Sequence, residues 1–197
     1  MYANTKLIIL DRDGVINEDS DQYIKSPSEW IPIPGSMEAI ARLNRGGYRV
    51  VVATNQSGIA RGMFDIETLS AIHKKMHDLA STTGAHIEGI FFCPHGPEDR
   101  CQCRKPKPGL FQEITARLGI ELTNVPVVGD SLRDLQAGAH EGCKPFLVKT
   151  GKGKKTLDTE KEHLPPNTMV FADLSAIATH LVPDDPFANT RKTQQPT

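Results

Sequence analysis

The sequence predicts an α/β doubly wound parallel sheet formed as a single layered domain. Three observations carry that expectation. Short apolar runs alternate with helical patterns, and the alternation repeats along most of the chain. The runs are continuous rather than alternating, as strands buried on both faces require. Several runs end directly in acidic or hydroxyl residues, where open α/β sheets place their ligands. A length of 197 residues suits one such domain and buries about 70% of the unfolded surface, so no disulfide framework is needed.

The elements follow in order. Leu7–Leu10 forms the first run and ends at Asp11. Residues 36–45 place Met37, Ile40, Ala41 and Leu43 at helical spacing, and Gly46-Gly47 supplies the stop. Arg49–Ala53 is the second strand, followed by Thr54-Asn55. The longest helix, 65–82, has Asp65 as its N-cap and Ile66, Leu69, Ile72, Met76 and Leu79 on one face. Ile87–Phe92 is the third strand; Pro108 opens a helix over 109–118 that ends at Gly119. Val125–Val128 precedes a helix over 132–140 that stops near Gly142. Phe146–Val148 and a weaker Met169–Phe171 complete the sheet, and 174–181 is the closing helix. The domain spans 1–182, and the polar, proline-bearing 183–197 is expected to be a disordered tail.

Composition excludes several classes. Lys plus Arg number 23 against 24 acids, a net charge of −1, which argues against a general nucleic-acid surface. No apolar run approaches the ~18–20 residues that span a bilayer. The start, Met1 to Lys6, leads into a run of only four apolar residues before Asp11, too few for a signal-peptide core of about 7–15. A cytoplasmic protein is therefore expected, with its four cysteines reduced and any cysteine cluster metal-binding or reactive.

Four segments stand at strand ends. Asp11-Arg12-Asp13-Gly14 reads equally as a turn or as a hard-cation site, because Mg²⁺ takes a few carboxylate oxygens and keeps room for phosphate. Thr54-Asn55-Gln56-Ser57-Gly58 offers neutral donors suited to phosphate oxygens. Asp130, after the fourth strand, is placed to be a further metal-facing carboxylate, whereas Asp134 either caps or decorates its helix. Arg104-Lys105 precedes a helix N-terminus, which attracts anions; a solvated basic loop is the plain alternative.

Together these residues, in this order, resemble the haloacid dehalogenase phosphatase superfamily, with its DxD after strand one, Thr or Ser after strand two, a Lys before a later helix and an acidic motif after strand four. The resemblance implies a Rossmann-like core. The segments after strands one and three are about 25 and 15 residues, too short for a large cap domain, so specificity falls to loops and suits a small phosphorylated metabolite.

Cys93, His95, Cys101 and Cys103 lie within eleven residues and match a tetrahedral Cys₃His Zn²⁺ site. Four protein ligands leave no open position, so the zinc is expected to be structural, clamping the loop that carries Arg104 and Lys105. With this loop added, DRDGVIN at 11–17, TNQSGIARG at 54–62 and CPH…CxCRKP are similar to the D-glycero-D-manno-heptose 1,7-bisphosphate 7-phosphatases, over residues 7–151 and on towards 180. Histidinol-phosphate phosphatases share the zinc loop and are the alternative. Their first motif usually continues DRDGT, where this chain has Val15.

The resemblance implies roles. Asp11 is the nucleophile, Asp13 the general acid and then base, and Thr54 and Lys105 hold the phosphoryl oxygens. Mg²⁺ is held by Asp11, the Asp13 carbonyl and Asp130. Arg12, Asp19, Ser20, Asp21, Gln22, Tyr23, Asn55, Gln56, Ser57, Arg104 and Ser131 surround the substrate. It also implies a small phosphorylated sugar from the ADP-heptose route to the lipopolysaccharide core, and no nucleic-acid or membrane partner. A monomer is expected. A receiver-type signalling domain would need its acceptor Asp after strand three, where Cys93 stands, and a zinc-ribbon module would need neither DxD nor Lys. Thr150–Thr156 lacks the GxxxxGK[ST] spacing of a nucleotide loop and is expected to be a solvated basic surface. His73, His77 and His140 are expected to face solvent.

Overall fold

The computed structural model describes residues 6–185. Six parallel strands form one sheet in the order β3-β2-β1-β4-β5-β6: β1 is Lys6–Leu10, β2 Tyr48–Asn55, β3 Gly89–Cys93, β4 Pro126–Gly129, β5 Lys144–Val148 and β6 Met169–Phe171. Leu10 lies opposite Val52 on one side and Val128 on the other, so β1 and β4 sit at the centre. The order reverses between them, and the crevice beyond that reversal is where doubly wound sheets bind ligands.

The strand runs are continuously apolar because successive side chains enter two separate cores. Ile8, Leu10, Val50, Val52 and Val128 join one face with α1 (Ser36–Arg45), α2 (Ile66–Thr82) and α6 (Leu174–Leu181). Leu7, Ile9, Val51, Ala53 and Val127 join the other with α3 (Gly109–Leu118) and α4 (Leu132–His140). Asp65 caps α2 as the sequence predicts, accepting from the Thr68 N–H at 2.8 Å. The long segment between β1 and α1 is held down by Trp30, which is fully buried, and by Lys75 of α2, whose ammonium donates to the carbonyls of Pro27 and Trp30 at 2.7 Å each. This fixes the wall that carries residues 19–24.

Several boundaries differ from expectation. β2 runs on through Thr54 and Asn55, and β3 starts at Gly89 and takes in Cys93, so the polar residues at these ends are held by ladder hydrogen bonds rather than by loops. The 150–156 segment is not a solvated loop. Thr150 Oγ1 donates to the Gly14 carbonyl at 2.6 Å, the Lys152 N–H to Asp130 Oδ2 at 2.7 Å, and Thr156 Oγ1 to the Asp130 carbonyl at 2.9 Å, with α5 at Gly153–Thr159. The expected tail begins too early: Asp185 is buried and pairs with Arg45 at 2.6 Å and Arg42 at 3.9 Å. The remainder of the tail, 186–197, lies outside the described residues. Among the described residues no helix is long and apolar enough to cross a membrane.

Candidate active site

Asp11 is the first residue past β1, and its N–H donates to the Val128 carbonyl at 2.8 Å, pinning it over the β1–β4 reversal. Lys105 is 2% exposed, with its ammonium 3.0 Å from Asp11 Oδ1, 2.7 Å from Asp134 Oδ1 and 2.7 Å from the Ala53 carbonyl. Its backbone is held by Asn55, which accepts from the Lys105 N–H and donates to the Lys105 carbonyl, both at 3.1 Å. The end of β2 thus sets where the cation sits. Asp134 bears out the capping reading, closing a capping box with Ser131 at the start of α4, and is also the second partner of Lys105, a contact the sequence reading did not include.

Asp130 completes the acidic group; one carboxylate oxygen from each of Asp11, Asp130 and Asp134 lies within 4.8 Å of the others. Two glycines make room for it. A Cβ at Gly14 (φ +80°) or at Gly151 (φ +53°) would run into the Asp130 carboxylate, and both positions lie in the left-handed region that glycine tolerates. Burial, reinforced by Asp134 and then by other nearby carboxylates, pushes Asp11 up to about 7 and Asp130 up to about 8. Asp134 goes the other way: burial opposes ionisation, yet Lys105 and Arg133 hold it low. Crowded oxygen donors facing a cleft fit a hard divalent cation, which relieves their mutual repulsion. Asp134 does not line that cleft and already faces Lys105, so Asp11 and Asp130 are the side chains free to take the ion.

Asp13 sits across the cleft in a network of its own. Arg12, 1% exposed, donates from Nε at 3.1 Å and from Nη2 at 3.0 and 3.1 Å to its carboxylate. Asn17 donates at 2.9 Å, and Gln56 Nε2 donates to Asp13 at 3.1 Å and to Thr54 Oγ1 at 2.9 Å. Burial disfavours the charged carboxylate here too, but Arg12, Asn17 and Gln56 outweigh it and hold Asp13 below the usual range. Arg12 Nη1 lies 3.3 Å from His73 Nε2. Burial, and then the Arg12 charge, push His73 down to about 3, so this imidazole is a neutral partner of Arg12 rather than a solvent-facing side chain. Among the other two helical histidines, His140 is exposed and His77 half-buried.

The cysteine loop gathers as its spacing predicts. Cys93 Sγ is 3.6 Å from Cys101 Sγ and 3.1 Å from Cys103 Sγ, and His95 Nδ1 is 3.7 and 3.3 Å from Cys93 and Cys103. These separations are too long for disulfides, at about 2.05 Å. They are close to the ~3.8 Å sulfur–sulfur edge of a tetrahedron with Zn–S near 2.3 Å. The donor set therefore fits zinc. Burial works against every thiolate; the Arg104 N–H and the neighbouring thiols nevertheless lower Cys101 to about 7, while Cys93 and Cys103 are raised. Arg104 Nη1 donates to the His95 carbonyl at 3.3 Å, tying that arginine to the loop.

The cleft, about 170 Å³, is lined by Asp11, Asp13, Asp19, Ser20, Asp21, Tyr23, Thr54, Asn55, Gln56, Ser57, Arg104 and Asp130 of the sequence-predicted set. Four predicted residues do not line it. Lys105 lies behind Asp11, Arg12 is buried against Asp13, Gln22 is exposed with its N–H on Ser20 Oγ, and the Ser131 hydroxyl is used by Asp134. Arg12 and Ser131 thus hold other site residues rather than reach the cleft. Ile24, Arg133 and Lys152 line it without having been singled out. Arg133 is the second residue of α4 and stands in sequence between Asp130 and Asp134, a signal available in the sequence.

A buried Asp paired with a buried Lys and set beside a second buried Asp, at the switch point of this sheet, is the arrangement of a phosphohydrolase of the HAD-like class, and the HAD-hydrolase-like family model matches residues 102–177. Relatives narrow the class. The chain is 57% identical over 177 residues to the D-glycero-beta-D-manno-heptose-1,7-bisphosphate 7-phosphatase of Bordetella bronchiseptica, covering 90% of this chain and 98% of the relative. It is 53% identical to that of Pseudomonas aeruginosa, covering 89% and 97%. A crystal structure of the B. bronchiseptica D,D-heptose 1,7-bisphosphate phosphatase complexed with magnesium and phosphate superposes with a TM-score of 0.88 at 56% identity, covering 91% of this chain and 99% of that one. The chain belongs to the D-glycero-beta-D-manno-heptose-1,7-bisphosphate 7-phosphatase family. The histidinol-phosphate alternative finds no support in these relatives.

Proposed function

We propose that the chain removes the 7-phosphate of D-glycero-beta-D-manno-heptose 1,7-bisphosphate through an aspartyl-phosphate on Asp11, as a monomeric, cytoplasmic enzyme of the ADP-heptose route. The observation that supports it most directly is Asp11 itself, held between Lys105 at 3.0 Å and the Asp130 carboxylate, with Asp13 on the same cleft.

Asp11 attacks phosphorus, the bond from phosphorus to the C7 oxygen breaks, and Asp13 gives that oxygen its proton, releasing the sugar alcohol. Asp13 then takes a proton from water. The resulting hydroxide attacks phosphorus, the Asp11–phosphorus bond breaks, and inorganic phosphate leaves. Arg12, Asn17 and Gln56 hold Asp13 below the usual range; an incoming phosphate dianion raises its proton affinity and so favours the acid form as substrate arrives. Thr54, which lines the cleft, donates to the equatorial oxygens, and Lys105, held behind Asp11, adds positive charge beside the nucleophile. Asp11, the Asp13 carbonyl and Asp130 would hold Mg²⁺, which supplies positive charge to keep the carboxylates ionised and to offset repulsion between nucleophile and phosphate. The magnesium and phosphate in the B. bronchiseptica structure support this assignment. Cys93, His95, Cys101 and Cys103 would hold a structural Zn²⁺, fixing the turn that presents Arg104 and Lys105.

The 7-phosphate sits on a primary, flexible carbon and reaches into the narrow end of the cleft. The 1-phosphate stays outside, near Arg104, whose planar guanidinium suits bidentate recognition of an oxyanion. Phosphorus NMR of the reaction tests the reading: the 1-phosphate is expected to survive in the first product. Release of the 1-phosphate first, or faster turnover of histidinol phosphate, refutes it.

A further inference from the structure

The cleft wall opposite Arg104 carries an ion cluster that the phosphatase mechanism does not use. Asp19 and Asp21 both line the cleft that must admit an anion. Lys152 lies between them, its ammonium 3.0 Å from Asp19 and 3.1 Å from Asp21. The lysine is not loosely attached. Its N–H donates to Asp130 Oδ2, and the preceding Gly151 abuts both Asp130 and Gly14. The turn that seats Asp130 therefore also delivers a cation to the entrance carboxylates.

We propose that Lys152 is a substrate-admitting residue: by neutralising Asp19 and Asp21 it lets a dianionic phosphate pass the carboxylates on its side of a cleft that also carries Arg104 and Arg133. This rests on the phosphatase reading above. Without Lys152 the two entrance carboxylates face the incoming phosphate unopposed. At partly exposed sites a few ångströms apart, two such repulsions weaken phosphate binding by roughly three- to tenfold. Asp19 is largely sheltered whereas Asp21 is 89% exposed, so Asp19 carries the larger share. Lys152 is 41% exposed, and its backbone contact to Asp130 survives any side-chain change, so substitution acts through charge.

The test measures inhibition by inorganic phosphate, with magnesium present, in parallel with steady-state hydrolysis of the heptose bisphosphate. Lys152→Met is expected to raise the phosphate inhibition constant and KM three- to tenfold with kcat within about twofold, and Lys152→Arg is expected to retain wild-type affinity. Adding Asp19→Asn and Asp21→Asn to Lys152→Met is expected to restore phosphate affinity, a rescue that a merely structural lysine would not give. Unchanged phosphate affinity in Lys152→Met, or no recovery in the triple variant, overturns the proposal. Failure of the wild type to hydrolyse the heptose bisphosphate would overturn the substrate assignment alone, since the phosphate-inhibition arm needs only a phosphate-ester substrate that the enzyme turns over.

Discussion

Replacing Gly151 with alanine adds one methyl group against Asp130 and the Asp11–Gly14 turn and is expected to disable the enzyme. A Cβ at this position would stand 2.5 Å from Gly14 Cα and closer still to Asp130 Oδ2, whereas ordinary contact begins near 3.4 Å. Gly14 would have to retreat by about 0.9 Å, and Asp130 by more. Both belong to the site: Gly14 ends the Asp11–Gly14 turn, and Asp130 is a proposed magnesium ligand. The backbone at φ +53° adds the cost of a left-handed alanine, about 1–2 kcal/mol. A misplacement near 1 Å costs on the order of 100-fold in rate. Gly151→Ala should therefore lower kcat about 100-fold and shift the magnesium activation midpoint at least tenfold upward. It should lower Tm by only about 2–8 °C, at about 2–4 °C per kcal/mol. The assay is phosphate release against magnesium concentration, beside a thermal melt. Activity and magnesium midpoint both within twofold of wild type would show that the Asp130 seat is compliant, and would refute the reasoning.

Other expectations follow from single contacts. Asp11→Asn should abolish turnover while leaving the thermal transition near wild type, and retention of more than a few per cent of activity removes Asp11 as nucleophile. Purified protein should carry about one zinc per chain, and Cys101→Ser should lose it; equal metal content by mass spectrometry excludes Cys101 as a ligand. Arg104→Ala should raise KM for the bisphosphate roughly tenfold or more but spare a 7-monophosphate, and equal losses on both substrates contradict a distal-phosphate role. His73, pushed down to about 3 by burial and Arg12, stays neutral while the unfolded chain titrates near 6.5. Between those values the unfolded state binds the extra proton, so stability falls as pH drops from about 6.5. His73→Gln should flatten that part of the stability profile, and an unchanged acid limb in denaturant titrations would count against it.

The sheet and most of the residues that gather at the cleft and in the cysteine cluster are legible because they rest on local signals. Ile8–Leu10 and Val50–Val52 announce buried parallel strands by being apolar at every position, and Asp11, Thr54 and Asp130 follow such runs directly. Cys93, His95, Cys101 and Cys103 were legible by ligand spacing alone. What escaped depends on contacts between distant segments. Nothing local distinguishes Arg12, buried against Asp13 and His73, from an arginine that reaches substrate; a bidentate pair to the next-door residue appears only when the turn is folded. His73 follows the helical period of α2 on the edge of its buried face, and its Arg12 partner lies 61 residues away. The 150–156 segment was misjudged because its lysines dominate its composition, while its function rests on backbone groups and on two glycines whose partners, Gly14 and Asp130, lie in other loops.

The paired carboxylates also explain why Lys105 is buried rather than reaching into the cleft. In the proposed mechanism Asp11 is both nucleophile and metal ligand, a pairing with Asp130 that leaves buried acids in repulsion. A lysine alone beside Asp11 would neutralise it but leave its own charge partly unmatched. With Asp134 at 2.7 Å on its other side, Lys105 is balanced by a carboxylate that does not line the cleft, and its ammonium also donates a hydrogen bond to the Ala53 carbonyl. Asp134 is in turn fixed by Ser131 at the start of α4, so the first turn of that helix sets the position of the lysine ammonium. Asp134→Asn should therefore act on catalysis without touching substrate. Lys105, freed of one carboxylate, would draw closer to Asp11 and weaken it as a nucleophile, lowering kcat on the order of tenfold while KM changes little. A rise in KM with kcat intact would instead mean that Asp134 governs binding, and the division between balancing and reacting carboxylates would have to be abandoned.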